Sequence, residues 1–433
     1  MNRDSEFDDL RRLRGSEVKG IPEALPSTEI TRKEAAVDFV LTMGRVLHSY
    51  GASSPRLEDA LVKLAKTLGL RESHFLSTPT AIMAAFGPTR DAHTALVRVE
   101  PGENDLGKLA WVNDVANEVV AGTLKPRDAL ARIQAIVDAP PRYGAFVTIL
   151  SFGLSSAASA VFFGGGYPEV AVALAIGTVV GVLSSVAGRS VDTARIVEPV
   201  AAAFAAFASA VVASRVNGFS PFVTTLAGVV TLLPGLGLTT AMVELASRHL
   251  ASGTARFAGA AVTLIGLGFG LALGSRLGAT WLSPARGTGE TVTWPFPAIA
   301  VAVLVAAFSF AVQLRVRKRE IGWAVASGVI AFSGARVGAH LIGPEIGAFG
   351  GAFSVALASN AYARAFDRPA TVVQVPGILL LVPGSVGFRG VIAMLDNDVV
   401  SGVTAAFKMV LIATCLVAGL LFANVALPSR RAL

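Results

Sequence analysis

The chain has 433 residues, 53% of them hydrophobic and only 15% charged, and a mean hydropathy of +0.62. Soluble domains carry roughly 25% charged residues, so this composition excludes an ordinary soluble enzyme and points to a bilayer. The formal charge of +7 divides into −1 over residues 1–144 and +8 over residues 145–433; the basic excess lies in the apolar part, which argues against a nucleic-acid partner.

Residues 1–30 mix acids, bases and prolines without hydrophobic periodicity and read as a disordered tail. No apolar run there resembles a signal peptide, so the N-terminus is expected to stay in the cytoplasm. From Glu34, the apolar positions Ala36, Phe39, Val40, Met43, Val46 and Leu47 recur at helical spacing up to Gly51. A second helix follows, with Ser54 as its expected cap, Pro55 in its first turn, and Leu57, Ala60, Leu61, Leu64 and Leu68 as one stripe. Phe75–Phe86 and His93–Glu100, separated by Gly87-Pro88, read as a hairpin or two adjacent strands. Helices over Asp105–Ala121 and Lys125–Val137 complete a cytoplasmic α+β domain over 31–142, closed by Pro140-Pro141-Arg142.

Ten apolar runs follow, each near the about 20 residues a spanning helix needs: 146–163, 168–187, 198–214, 221–240, 256–281, 295–314, 321–341, 345–363, 369–388 and 404–425. With the N-terminus inside, the inner loops and tail hold twelve bases, among them Arg248, Arg315, Arg317 and Arg368. The outer loops hold five: Arg215, Arg276, Arg286, Arg336 and Arg389. The positive-inside rule thus favours both termini in the cytoplasm, in an inner (plasma) membrane.

The membrane part repeats itself. Gly228-Val-Val-Thr-Leu-Leu-Pro234-Gly235 aligns without a gap on Gly377-Ile-Leu-Leu-Leu-Val-Pro383-Gly384, 149 positions later, and the same offset carries Ser252-Gly253 onto Ser401-Gly402. Two five-helix units are implied, 143–290 and 291–433. Because five is odd, the second enters from the opposite side, the inverted repeat of many secondary transporters. Proline removes a backbone donor and glycine permits non-helical dihedrals, so each Pro-Gly pair is expected to break its span. In hydrocarbon, a broken backbone persists only where protein or a water-filled cavity satisfies it. The expected substrate-binding set is therefore Gly228, Pro234, Gly235, Gly377, Pro383 and Gly384, with Gln374 and Arg389 nearby. The plainer alternative, that both pairs merely end spans at the surface, has the duplication at one offset against it.

Burying a charge at the bilayer centre costs at least about 2.5–3.5 kcal/mol, so Glu244, Glu198 and Asp192 are candidates for carrying a coupling proton. Glu345, Asp396, Lys408 and Asn360 complete the polar groups near spans. Other motifs carry less. Gly102–Leu109 fits GxxxxGK, but Leu109 stands where magnesium needs Ser or Thr, and Glu103 and Asp105 oppose phosphate. No GxSxG elbow surrounds Ser53, Ser54 and His48, and helix capping accounts for the serines. Gly164–Gly166 reads as a flexible turn. Cys415 stands alone and the five histidines are scattered, so no metal and no cofactor is expected.

His48-Ser-Tyr-Gly-Ala-Ser-Ser-Pro-Arg56-Leu-Glu58-Asp, Leu68-Gly-Leu, Thr78-Pro-Thr-Ala-Ile82 and residues 122–129 resemble the N-terminal part of the threonine/serine exporter family. Leu233-Pro-Gly235 through Glu244 to Ser252-Gly253 and Arg256 resembles that family's first membrane unit, and 376–402 its second. The resemblance implies an exporter of threonine and serine driven by the proton gradient, with a soluble domain fused to ten spans. Two departures stand out: the family more usually has aspartate near Glu244, and the position 149 residues after it is Ala393. The expectation is an exporter of small hydrophilic amino acids working by alternating access, with lipid as its surroundings and a homo-oligomer left open. A dicarboxylate exporter of the same fold, supported by Arg389, is one alternative; a membrane-anchored hydrolase or sensor is another.

Overall fold

The computed structural model describes residues 27–88, 90–100, 102, 104–188, 190–281 and 291–428. Helix α1 spans Ser27–Ser49, so helix begins inside the stretch expected to be tail. Helix α2 is Ser54–Thr67. The apolar run after it holds two strands rather than one, because Pro79, which lacks an N–H for a ladder, sits between β1 (Ser73–Thr78) and β2 (Ala81–Phe86). With β3 (His93–Arg98) they form an antiparallel sheet of order β1-β2-β3. Helices α3 (Leu106–Val120) and α4 (Pro126–Asp138) follow. The helical stripes read from the sequence converge: Phe39, Met43, Leu57, Leu61, Leu64, Ile82, Val112 and Ile133 belong to one buried cluster.

Beyond Pro140 the chain is helical: α5 (Ala145–Phe162), α6 (Tyr167–Ala187), α7 (Val191–Ala213), α8 (Pro221–Gly228), α9 (Gly235–Ala246) and α10 (Leu250–Trp281). The second half repeats the pattern with α11 (Phe296–Gln313), α12 (Ile321–Leu341), α13 (Pro344–Phe366), α14 (Thr371–Leu379), α15 (Gly384–Leu395) and α16 (Val399–Ala426). Among the described residues, eight helices are long and apolar enough to cross a membrane, with α14–α15 taken as one, or nine if α8–α9, bent by 49°, is one span. Helix α13, expected as the eighth of ten spans, is not among them.

The two halves interlock at their broken helices. Leu238 on α9, Leu264 on α10 and Phe388 and Ile392 on α15 share one core, so α15 of the second half is buried among first-half helices. Reciprocally, Val243 on α9 packs against a core of second-half residues that includes Val355 and Leu416.

Gly164–Gly166 was expected to be a loose turn and is a braced one. The Gly164 and Gly165 carbonyls accept bonds from the Val292 N–H at 2.8 Å and the Trp294 indole at 2.7 Å. A side chain at Gly165 would meet Glu169 Cβ at 2.8 Å.

Candidate functional site

Both Pro-Gly pairs break the backbone. Helix α8 gives way to a 3₁₀ turn at Val230–Leu232, and α9 starts only after Pro234; α14 ends at Leu379, and α15 starts only after Pro383. The breaks lie against each other. A Cβ built on Gly384 would stand 3.1 Å from Leu233 Cβ and 3.2 Å from the Gly235 Cα, and one on Gly235 would collide with Val382. Glycine at both positions is what lets the two backbones approach.

A cavity of about 1330 Å³ opens beside this junction. Thr231, Leu233, Pro234, Gly237, Val382, Gly384 and Ser385 line it from the breaks; Ser159, Gln313 and Phe163 line it from α5 and α11, and Arg315 and Arg336 also reach its wall. The Thr231 and Ser184 hydroxyls, both on this lining, are buried without a hydrogen bond among the described residues. Four helix ends meet here. The N-termini of α9 and α15 present amides that favour an anionic group, and the C-termini of α8 and α14 present carbonyls that favour a cationic one.

The expected site residues separate into distinct places. Pro234 and Gly384 line the cavity, and Gly235 and Pro383 stand beside them in the breaks. Gly228 and Gly377 are packing positions, where a Cβ would press on Ile176 and on Ser327 and Val355 respectively. Arg389 lies with its guanidinium 5.4 Å from the ring centre of Phe163 and 5.9 Å from that of Phe222, a cation–π setting next to the cavity wall. Gln374 is buried away from the cavity and accepts a 2.7 Å bond from Arg56 of α2. Glu198 is half-buried on α7 just before Pro199. The Asp192 side chain lies outside the described residues.

Glu244 is fully buried and forms the centre of a second site. Its carboxylate accepts from Arg256 at 3.1 and 3.2 Å, from the Ser252 hydroxyl at 2.9 Å, and from the backbone N–H of Ser54 at 3.0 Å. The Ser54 hydroxyl donates to Ser252 at 2.7 Å. Ser54 is therefore not its own helix's cap, as its position suggested. The N-cap residue of α2 is Ser53, whose side chain makes no capping bond, and a carboxylate 190 residues away takes an amide that the helix itself leaves open. One turn on, Glu58 accepts from the Ser77 N–H and hydroxyl at 2.7 Å and stands 3.3 Å from His249 Nε2.

Helix α3 docks on the second half. The Leu106 N–H donates to the Leu314 carbonyl at 3.0 Å, Asp105 stands 3.7 Å from Arg315, and Tyr143 donates to the Val316 carbonyl at 2.6 Å. Buried Arg317 is held by Glu320 and reaches Asp114 at 3.1 Å. Lys108, the lysine of the rejected phosphate-loop pattern, spends its amine on the Val137 carbonyl. Sequence reading did not single out Ser252, Glu58, His249 or Arg317 as site residues. Their partners lie between 191 and 203 positions away in the contacts to the N-terminal helices, beyond any local spacing. The signals that existed were the likeness of the Ser54–Glu58 and Glu244–Arg256 stretches to family motifs and the place of Ser252 in the repeat.

No solved structure matches the chain. Among curated proteins, the Pheromone-regulated membrane protein 10 of Eremothecium gossypii is 29% identical over 386 residues, covering 86% of this chain and 52% of that protein. The protein of the same name in Kluyveromyces lactis is 32% identical over 244 residues, 55% of this chain and 25% of that one. Its namesake in Candida albicans is 26% identical over 364 residues, 81% of this chain and 33% of that one. The chain thus spans about half the length of these relatives, or less. Residues 38–278 match a family model for a threonine/serine exporter, and residues 299–426 match a second, Threonine/Serine exporter, ThrE. With a match over more than half its length and a set of apolar helices fit for a bilayer, the chain is a transmembrane protein of the threonine/serine exporter family.

Proposed function

We propose that this protein exports small hydrophilic amino acids, threonine and serine first, across the plasma membrane by proton-coupled alternating access. The observation that carries the reading is the junction of the two Pro-Gly breaks beside a cavity of about 1330 Å³. Counting α13 and taking each broken pair as one rod gives ten helices in two five-helix units, the layout of an inverted-repeat transporter with its substrate at discontinuous helices. In this reading the α9 and α15 amides bind the carboxylate of the zwitterion and the α8 and α14 carbonyls bind its ammonium. Each helix end contributes roughly 0.3–1 kcal/mol. Thr231 and Ser385 meet the substrate hydroxyl.

Glu244 and Glu198 are the carboxylates proposed for the coupling proton. Protonating Glu244 would remove the charge that Arg256 and the Ser54 amide hold, linking proton uptake to the contact with α2. The N-terminal segment and both chain ends lie in the cytoplasm in this topology. Counter-flow in proteoliposomes tests the proposal: threonine and serine should exchange and respond to a pH gradient. Absence of both movements ends this reading. A dicarboxylate substrate is the second reading, favoured by Arg315 and Arg336 on the cavity wall and by Arg389 behind Phe163. Competition by succinate in the same assay separates the two.

A further inference from the structure

We propose that α2 and α3 form a clamp tying the two membrane halves together at their cytoplasmic ends, and that α2 must part from the first half in each transport cycle; the proposal rests on the alternating-access reading above. The clamp engages both halves within one and a half turns of α2. Ser54 and Glu58 hold the first half through Glu244, Ser252 and His249, while Arg56, between them, holds Gln374 on α14 of the second. Helix α3 adds Asp114 on Arg317 and Leu106 on Leu314. A rigid link between units that must move past each other cannot stay fixed in every state.

The contacts are built to separate. Glu244 has Arg256 and Ser252 on its own side, so losing Ser54 does not strand a bare buried charge. Glu58 keeps both bonds from Ser77 when His249 leaves. Asp105 still caps α3 through the Lys108 N–H without Arg315, and Arg317 keeps Glu320 without Asp114. Glu244, Glu58, Asp105 and Arg317 thus each keep a partner within their own body. Stranding a buried charge is what makes breaking an ion pair costly. The open state therefore avoids most of that penalty, and the closed state remains specific.

A disulfide tests the clamp directly. In a Cys415→Ser background, Ser54→Cys with Ser252→Cys places two thiols where hydroxyls stand 2.7 Å apart. Oxidation in proteoliposomes should lower threonine and serine exchange at least tenfold, and thiol reduction should restore it. Complete cross-linking with unchanged exchange overturns the clamp. A substrate-free measurement stands beside it: spin labels on Ala246→Cys and Lys318→Cys, one on each half, in the same background. The otherwise unaltered chain should give one narrow distance, and Ser54→Ala or Arg56→Ala should add a longer or broader population; identical distributions in all three overturn the proposal. If the reduced protein exchanges neither amino acids nor dicarboxylates, the transport reading fails, and the distance distributions alone decide the clamp.

Discussion

The two broken helices start alike and end differently. Helix α9 leaves its break and reaches Glu244, fully buried and fixed by Arg256, Ser252 and the α2 amide. Helix α15 leaves a matching break and reaches an exposed turn, Asp396-Asn397-Asp398, where Asp398 merely caps the first turn of α16 through the Ser401 N–H. The offset that superposes the breaks puts Ala393 opposite Glu244. The two breaks share one feature, backbones that meet at glycine, while the helix ends differ because α9 carries the carboxylate that binds the N-terminal segment. The breaks match; the docking does not.

Substitutions can break that contrast, starting with the largest effect. Glu244→Ala leaves the Arg256 guanidinium and the Ser54 amide without their shared acceptor, and removing one partner of a buried pair costs about 3–5 kcal/mol. Thermal unfolding in detergent should show a large drop in Tm, whereas Asp396→Ala should leave Tm unchanged. Equal losses at the two positions would mean that the ends are equivalent after all. Next come the breaks. Gly235→Ala and Gly384→Ala should each cost about 1–3 kcal/mol, the range for overpacking, and should lower exchange. Gly259→Ala on α10, whose Cβ would meet nothing within 4 Å and which lies away from the cavity lining, is the neutral control. Smaller again is Asp398→Ala, which should fray only the first turn of α16, visible as faster amide exchange at Ser401 and its neighbours.

The smallest effect is a pH dependence in the N-terminal segment. Burial, the largest cause, with the Arg256 charge adding to it, holds the His48 imidazole below its ordinary 6.5 despite its contact with the Pro79 carbonyl. The folded state therefore favours neutral His48, and the unfolded chain takes up the proton first as pH falls. The stability from this group is complete above 6.5 and is lost as pH drops through the lowered folded value. His48→Gln, which can still donate to Pro79, should flatten the melting curve against pH in that window.

Much of this molecule was legible in one dimension. The helical stripes of α1 and α2, the Pro-Gly breaks and the repeat offset are local or periodic features, and the chain forms them where their spacing predicted. Other features were read differently: the strand run divides at Pro79, the glycine run 164–166 is braced by Val292 and Trp294, and Ser54 gives its hydroxyl to Ser252 instead of its own helix. In each case the deciding partner is remote or the breaker residue was weighed too lightly. Gln374 and Glu244 were singled out for burying polarity in an apolar setting, which the sequence does reveal. Their partners Arg56 and Ser54 come from a different part of the chain.

By itself the sequence determined the apolar helices, their duplication and the points where their hydrogen bonding must fail, because hydrophobic periodicity and the missing proline N–H act within a few residues. Only the tertiary structure decided that the two breaks abut, that they border a common cavity, and that the cap of α2 is a carboxylate on α9. Those facts depend on which surfaces meet, and a meeting between residues 190 apart is set by the packing of the whole chain.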